Sequence, residues 1–371
     1  MRYTRMPIEI ESPEQMGYDT IKNNLTESSY TDKLLDLTSI KLDEILLCYG
    51  DHRGQAKLRE LLAAESPLLT KDDVLLTVGA SAALFMIATS LLDAGDELIV
   101  VRPNYATNIE TPRAIGACIH FIDLTFEEGF AIDFDLLKSK ISPRTKLISV
   151  THPHNPTGVC LSDADMKTLA ALAETHNCFV LADETYRDLA HGQLLPLACT
   201  YSEKIISVSS CSKSYGLPGI RLGWVICRNT EMMDTLLAAK EQIHITGSVL
   251  DEEVAYRFLL QKQSVFPAIQ EDIRRKFQIT KHWIENQNDF EWVQPEGGVV
   301  CFPRIKNPDA VDIEKFYAIL NNKYGTYVGP GHWFEMPKHY MRIGYAWSSI
   351  TELKDGLAAL TLSVAEARRQ N

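Results

Sequence analysis

The chain has 371 residues, of which 45% are hydrophobic, 9% aromatic and 23% charged, a composition typical of a globular protein of about two domains. This composition excludes disordered, fibrous and repeat-built chains. The chain carries 37 Lys and Arg against 49 Asp and Glu, and a net charge of −12 argues against binding to nucleic acids or anionic membranes.

The eight cysteines are scattered along the chain, and no two of them form a C-x-x-C pair. This spacing argues against a metal site or a disulfide framework and is typical of a reducing compartment. The first residues are charged and contain no apolar core, so they do not resemble a secretory signal. The longest apolar run, Ala82–Leu92, is too short to cross a bilayer. We therefore expect a cytoplasmic protein that binds neither membrane nor nucleic acid and holds no metal.

Short β-rich runs alternate with helical patterns through the middle of the chain, which predicts βαβ units and a mostly parallel sheet. Apolar residues at helical spacing predict a helix over Gly54–Ala64, and Ala82–Leu92 is predicted as a buried helix. Ser162 is the predicted N-cap of a helix that continues to His176. The seven predicted strands are Val74–Val78, Glu97–Val101, Cys118–Ile122, Lys146–Thr151, Cys178–Ala182, Lys204–Ser209 and Gly223–Cys227.

The pattern changes after about Ile269 to a long charged helix, short strands and a final helix, which predicts a smaller α+β domain. The predicted elements of this part are the helix Glu271–Gln287, the strands Gly298–Phe302, Thr326–Val328 and Tyr340–Tyr345, and the helix Ile350–Arg368. The sequence thus predicts an α/β fold with a large domain over residues 41–270, whose mostly parallel seven-stranded sheet is flanked by helices. The small domain covers residues 271–371, and residues 1–40 pack with it.

A lysine lies in a Gly-rich turn after the sixth predicted strand, in the sequence SCSKSYGLPGIR, which runs from Ser210 through Lys213 to Arg221. A free lysine has a pKa of about 10.4, and burial beside a cation such as Arg221 would lower it and make the amine a nucleophile. Ser210 and Arg221 would then bind a phosphate, the guanidinium through two parallel hydrogen bonds. The alternative is a surface Ser/Lys turn beside a Gly-rich hairpin.

Polar residues follow three other predicted strands, at the edge where open α/β sheets bind ligands. Asn155 lies in an N-P-T-G turn, and Asp183 ends a strand where a buried carboxylate could pair with a protonated ring nitrogen. Gly79, Ala80 and Ser81 open a helix whose free N–H groups can bind an anion. Each motif also has a plain structural interpretation: an Asn-Pro turn, a helix N-cap and a small-residue helix start.

Together these motifs resemble the class I/II aminotransferases, which are fold-type-I pyridoxal-phosphate enzymes, over about Tyr49–Trp347. The S-x-x-K…R, N-P-T-G and D-x-x-Y elements occur in the order and spacing of that family. The resemblance implies that Lys213 forms an internal aldimine with pyridoxal 5′-phosphate and moves the substrate proton. It also implies that Asp183 pairs with the pyridine nitrogen, and that Asn155 and Tyr186 hold the phenolic oxygen of the ring.

The resemblance also implies a phosphate site, a stacking aromatic and a substrate clamp. The implied phosphate ligands are Ser81, Ser210, Arg221 and the backbone of Gly79 and Ala80. Tyr105 would stack on the ring, and Arg342 would bind the α-carboxylate of a substrate that also contacts Asn155. Tyr49 would reach the phosphate of a neighbouring subunit, which implies a homodimer with shared active sites. On the sequence alone, a salt bridge explains Arg342 equally well, and aromatics such as Tyr105 and Tyr49 are more often simple core residues.

The leading hypothesis is an aminotransferase that moves an amino group between a small α-amino acid and an α-keto acid by ping-pong kinetics. The second keeps the cofactor but ends in elimination or cyclisation, because several stretches are similar to capreomycidine synthase. A third is a regulatory module without catalysis, against which the intact Lys213, Asp183 and Arg342 argue. A nicotinamide dehydrogenase is disfavoured because G-x-G-x-x-G is absent after the first strands.

The sequence leaves the substrate side chain open. Ile8–Pro13 stands where many family members have a Gly/Pro-containing segment that lines the substrate pocket. Arg53, His332 and Trp333 are candidates for contacts with the substrate side chain. The choice between transamination and elimination also stays open, because no residue is recognisable as the donor that would protonate a leaving group.

Overall fold

A computed structural model of the protein describes residues 1–35 and 40–369. In chain order the strands are β1 (Asn23–Leu25), β2 (Val74–Thr77), β3 (Glu97–Arg102), β4 (Cys118–Asp123), β5 (Thr145–Thr151), β6 (Phe179–Asp183), β7 (Ile205–Ser210), β8 (Gly223–Ile226), β9 (Phe290–Glu291), β10 (Val300–Cys301), β11 (Arg304–Ile305), β12 (Thr326–Pro330) and β13 (Met341–Gly344). The α-helices are α1 (Pro7–Ile10), α2 (Pro13–Met16), α3 (Ala56–Ala63), α4 (Gly79–Leu91), α5 (Thr107–Ile115), α6 (Phe134–Ser139), α7 (Asp163–His176), α8 (Thr230–Ile243), α9 (Val249–Leu260), α10 (Lys262–Glu285), α11 (Ile313–Ala318) and α12 (Ile350–Glu366).

The large sheet has seven strands in the order β2-β8-β7-β6-β5-β3-β4. Strand β8 runs antiparallel to both of its neighbours, and the other adjacent pairs are parallel. The inner strands are buried almost throughout because helices cover both faces of the sheet, which explains their Val- and Ile-rich sequences. The predicted mostly parallel, seven-stranded sheet is confirmed, and each predicted strand end lies within one residue of the observed end.

The small sheet has four strands in the order β1-β12-β13-β10. Strand β1 comes from the N-terminal part of the chain and pairs in parallel with β12, with Asn23 opposite Thr326. The strands β9 and β11 form a separate antiparallel pair. The structure therefore confirms the predicted small α+β unit, to which both ends of the chain contribute. The predicted domain limits at residues 40 and 270 stay predictions.

The long helix α10 begins at Lys262, whereas the charge pattern predicts a start at Glu271. The helix passes through Pro267, which has no N–H to donate to the carbonyl of Gln263 one turn earlier. Both residues are exposed, so solvent can satisfy that carbonyl, and the neighbouring Phe266 is buried in the core. The helix therefore tolerates its proline because the affected carbonyl lies on the solvent side.

The capping of α7 is as predicted from the sequence. The Ser162 hydroxyl accepts a hydrogen bond from the Asp165 N–H, and the Asp165 carboxylate accepts one from the Ser162 N–H. This reciprocal pair satisfies two N–H groups that a helix start otherwise leaves free. The helix ends at Asn177, whose left-handed conformation closes the last turn.

In the described residues no helix is long and apolar enough to span a membrane. All eight cysteines are free thiols. No group of three or more His, Cys, Asp or Glu side chains in this part of the chain is arranged to hold a metal ion.

The chain that follows β1 packs against β13 at Gly344. A Cβ atom at this position would lie 1.7 Å from the carbonyl oxygen of Glu27, so only glycine allows the two backbones to approach. The close approach places residues 26–28 beside the end of β13. Gly344 therefore fixes where this segment runs.

Replacing Gly344 with alanine should lower the free energy of unfolding by about 2 kcal/mol or more, because the methyl group meets a backbone carbonyl that cannot move alone. Gly192→Ala is the matched control, since a Cβ there meets nothing within 4 Å; it should change the stability by less than about 1 kcal/mol. Urea unfolding of both variants measures the difference. Equal stabilities would show that residues 26–28 are not held against Gly344.

Candidate active site

A cavity of about 280 Å³ lies between the large sheet, the small sheet and the N-terminal segment. Most of the predicted site residues line it: Ala80, Ser81, Tyr105, Asn155, Asp183, Tyr186, Ser210, Lys213, Arg221 and Arg342. They converge because β2, β3, β5, β6 and β7 point in the same direction, so that the turns after them meet at one edge of the sheet. The small sheet contributes Arg342 from the opposite side, on β13.

Lys213 lies in the turn after β7 and lines the cavity with its side chain. Burial lowers the pKa of its ammonium group; the charge of Glu27 opposes this shift, and Arg342 adds to it. Burial is the largest cause of the shift, and Arg221, the cation expected from the sequence to lower this pKa, contributes less than Arg342. A lower pKa increases the share of neutral amine, which is the nucleophilic form.

Asp183 is the last residue of β6 and is buried. Its Oδ1 accepts hydrogen bonds from the N–H of Thr185 at 3.1 Å and from the Thr185 hydroxyl at 2.6 Å. Burial raises the pKa of Asp183, and the two bonds from Thr185 oppose that rise. Its Oδ2 accepts no hydrogen bond from the described residues, so this oxygen can receive a proton donor from a ligand in the cavity.

Arg342 is only 4% exposed and reaches the cavity from β13. Its Nη1 donates to Asn155 Oδ1 at 3.2 Å, and its Nη2 donates to the carbonyl of Thr26 at 2.8 Å. Its Nε has no hydrogen-bond partner among the described residues. A buried guanidinium with a free donor fits an anionic ligand such as a carboxylate.

Tyr186 and Arg342 both bind the backbone that follows β1. The Tyr186 hydroxyl donates to the carbonyl of Ser28 at 2.7 Å, and burial raises the pKa of Tyr186 to about 12. Together with the bond from Arg342 to Thr26, this contact fixes residues 26–28 along the cavity wall. Tyr186 is therefore a neutral hydrogen-bonding group at ordinary pH.

A candidate anion site lies where α4 begins. Gly79 opens this 13-residue helix with φ +73°, and a Cβ on it would lie 2.5 Å from Nη2 of Arg221. Glycine thus lets the guanidinium approach the free N–H groups at the helix start. Arg221 Nη1 also donates to the Ser212 hydroxyl at 3.1 Å, and the hydroxyls of Ser81 and Ser210 line the same cavity.

Several lining residues were not found from the sequence, among them Ser212, Glu27 and Ser28. Ser212 lies between Ser210 and Lys213 in the lysine motif. The motif places it in the turn but does not show that it faces the cavity. Glu27 and Ser28 follow a strand of only three residues, and no periodicity predicts that this segment crosses the cavity.

The candidates for substrate contacts divide between the cavity and the surface. Trp333 lines the cavity, as do Ile8, Ser12 and Pro13 of the N-terminal segment. His332 instead contacts the Glu11 carboxylate at 2.9 Å, and Arg53 pairs with Asp234 at 2.9 Å, both outside the cavity lining.

Of the predicted cofactor residues, Gly79 and Tyr49 are not among those that line the cavity; Gly79 still begins α4 beside Arg221, whereas Tyr49 lies at the surface. Its side chain is 81% exposed, and it is not among the lining residues. The predicted role of Tyr49 is at the active site of a neighbouring subunit. Its position within one chain does not test that role, which stays a prediction.

Comparison with known proteins gives consistent results at the level of the family. The sequence profile of Aminotransferase class I and II matches residues 20–360. Capreomycidine synthase from Streptomyces vinaceus is 30% identical over 326 residues, covering 86% of this chain and 82% of that protein. Aspartate aminotransferase from Pyrococcus horikoshii is 29% identical over 324 residues, covering 83% and 81%. The crystal structure of a PLP-dependent aminotransferase from Streptococcus suis matches with a TM-score of 0.91 and 26% identity, covering 100% of each chain.

The cavity residues fit the cofactor of this family, pyridoxal 5′-phosphate. The helix start with Arg221 could hold its phosphate, the free oxygen of Asp183 could accept a hydrogen bond from its protonated ring nitrogen, and the Lys213 amine could bind its aldehyde carbon. The chain belongs to the class I and II aminotransferase family, and it is a pyridoxal-phosphate-dependent transferase.

Proposed function

We propose that this enzyme transfers an amino group from an α-amino acid to an α-keto acid with the cofactor held covalently on Lys213. One observation carries the proposal: Lys213, Asp183 and the buried Arg342 line the same cavity. These three side chains supply a nucleophile that can exchange protons, an anion for the ring nitrogen and a clamp for a carboxylate. A protein that only binds the cofactor has no need of all three.

Lys213 is proposed to act twice. Its neutral amine would hold the cofactor, and the same amine, once free of the cofactor, could accept or donate a proton at Nζ. Pyridoxal 5′-phosphate, when bound, supplies an electron sink for the negative charge that remains after the Cα proton is removed. Burial lowers the pKa of the Lys213 amine and so increases the share of neutral amine that can accept that proton at Nζ.

The other residues are proposed to orient the reacting groups. Arg342 binds the substrate α-carboxylate through its free Nε, which fixes the direction of the Cα–H bond. Asp183 keeps a proton on the ring nitrogen, and Tyr186 and Asn155 bind the phenolic oxygen. Tyr105 is proposed to stack on the ring; its hydroxyl lies 3.5 Å from that of Ser81, which lines the anion site.

The phosphate is proposed to lie at the start of α4, held by Arg221, Ser81, Ser210 and the backbone of Gly79 and Ala80. Ser212 joins this group, because its hydroxyl already accepts a hydrogen bond from Arg221. A dianion at this position gains from both the helix dipole and the guanidinium.

We propose a homodimer in which Tyr49 reaches the phosphate of the partner's site. The side chains of Leu46, Leu47 and Tyr49 are 77%, 74% and 81% exposed, and such a run of exposed apolar groups is typical of an interface. The adjoining Gly50 packs near Val249, at the start of α9. We also propose that the enzyme works in the cytoplasm, where its eight free thiols would stay reduced.

An elimination or cyclisation reaction is the second candidate. Capreomycidine synthase is 30% identical across 86% of the chain, which favours this second candidate. The similarity to aspartate aminotransferase is about as strong and favours transamination. Both candidates need Lys213, Asp183 and Arg342 in the same roles, so they differ only in the fate of the substrate.

The reaction type is tested by incubating the purified holoenzyme with single amino acids and no keto acid. A transaminase should release about one equivalent of keto acid per active site and then stop, because its amino group has no acceptor. Adding a keto acid should restart turnover. Sustained release of ammonia or of a cyclised product without an acceptor would contradict transamination and support the second candidate; mass spectrometry of the products separates the two.

The shared active site is tested by mixing two inactive variants, Tyr49→Ala and Lys213→Ala. If Tyr49 serves the partner's site, a hybrid dimer contains one site with both native residues, and activity should partly return. Mixing Lys213→Ala with Asp183→Asn is the control, because both residues line the cavity of one chain and no hybrid site is native. Recovery in both mixtures, or in neither, would contradict the proposed sharing.

A further inference from the structure

One wall of the cavity is acidic, and the N-terminal part of the chain forms it. Glu9, Glu14 and Glu27 line this wall. Glu9 and Glu14 are exposed at the mouth of the cavity, whereas Glu27 is partly buried. Glu27 and Lys213 line the same cavity. Burial raises the pKa of the Glu27 carboxyl and the charge of Lys213 opposes this rise, so a cation beside Glu27 stabilises its ionised form.

Glu27 is held in place from several directions. The backbone on either side of it accepts the hydrogen bonds from Arg342 and Tyr186, and its own carbonyl packs against Gly344. The Tyr18 hydroxyl donates to its Oε1 at 3.0 Å. Its Oε2 accepts no hydrogen bond from the described residues, so this oxygen is available to a ligand. The side chain is thus presented to the cavity on a fixed backbone.

A second observation indicates that a ligand occupies this end of the cavity. The guanidinium of Arg342 is buried, and its Nε has no partner in the described part of the chain. An anion bound there would lie close to the acidic wall, because Arg342 donates to the carbonyl of Thr26, the residue next to Glu27. The ligand must therefore place an anionic group at Arg342 without placing a second one at Glu27.

The charges of the cavity do not balance once the proposed function is taken into account. The cations that this chain contributes to the lining are Lys213, Arg221 and Arg342. Arg221 is then occupied by the phosphate, Arg342 by the substrate α-carboxylate, and the Lys213 amine by its bond to the cofactor. No lining cation among the described residues remains for Glu27. A partly buried carboxylate without a cation is unfavourable, and an acidic substrate side chain would add a like charge.

We infer that the amino acid substrate carries a positively charged side chain, a guanidinium or an ammonium group, which binds Glu27 inside the cavity and Glu14 at its mouth. This inference rests on the proposed function, because it requires the α-carboxylate at Arg342 and the cofactor on Lys213. The acidic wall thereby selects the substrate, while Lys213, Asp183 and Arg342 serve any α-amino acid.

The test compares the binding of α-methyl-L-arginine and α-methyl-L-citrulline to the holoenzyme by calorimetry. Both lack a Cα hydrogen and bind without turnover, and they differ in a charged guanidinium against a neutral group of nearly the same shape. The charged analogue should bind about 10- to 100-fold more tightly, the usual range for a charge-assisted hydrogen bond. Glu27→Gln, which keeps the shape of the side chain, should remove most of this preference and leave the affinity for the neutral analogue within about threefold. Asp19→Asn, at an exposed acidic residue of the same segment outside the cavity lining, should keep the preference intact.

Equal affinities of the two analogues for the wild-type enzyme would overturn the inference without any variant. It would also fail if Glu27→Gln weakened both analogues alike, since that result indicates a purely structural role. Product analysis separates this inference from the proposed function. A preference for the charged analogue in an enzyme that transfers no amino group would support the inference and defeat transamination. Transfer of amino groups only from acidic or neutral amino acids would support transamination and overturn the inference.

Discussion

The burial of the Lys213 amine is the constraint on which the rest of the cavity depends. Burial lowers the pKa of its ammonium group, which makes the amine a nucleophile, but it also removes the amine from the water that would solvate it. The surrounding charges act in opposite directions: Glu27 favours the protonated form of the amine, whereas Arg342 adds to the effect of burial and favours the neutral form. The proposed chemistry requires both forms, one to hold the cofactor and one to carry a proton.

The architecture that places these groups together depends on strand direction. Asp183 ends β6, and Lys213 follows β7 in the same direction, so both reach the same edge of the large sheet. Arg342 comes from the small sheet, and the chain after β1 bridges the two parts. Its Tyr30 N–H donates to the carbonyl of Lys213 at 2.9 Å, while Thr26 accepts from Arg342. This short segment therefore connects the lysine turn and the substrate clamp, and it also supplies the acidic wall.

Much of this arrangement is predictable from the sequence, because parallel strands and their turns are local patterns. The alternation of apolar runs with helices gives the seven strands, and the N-P-T-G, D-x-x-Y and S-x-x-K motifs locate Asn155, Asp183 and Lys213 at their ends. The position of Glu27 is not predictable in this way. It depends on the pairing of β1 with β12 and on the absence of a side chain at Gly344, contacts that join residues roughly 300 positions apart and leave no periodic signal. The start of α10 is missed for a related reason, since the tolerance of Pro267 depends on which side of the helix faces solvent.

The central claim is that Lys213 carries the cofactor, and reduction with borohydride tests it most directly. Reduction of the purified holoenzyme followed by peptide mass spectrometry should place the cofactor mass on the peptide that contains Lys213. Lys240 provides an internal control, because burial also lowers its pKa, to about 8, but it does not line the cavity. The peptide that contains Lys240 should stay unmodified. Attachment at Lys240 or elsewhere, or a protein that takes up no cofactor, would contradict the claim.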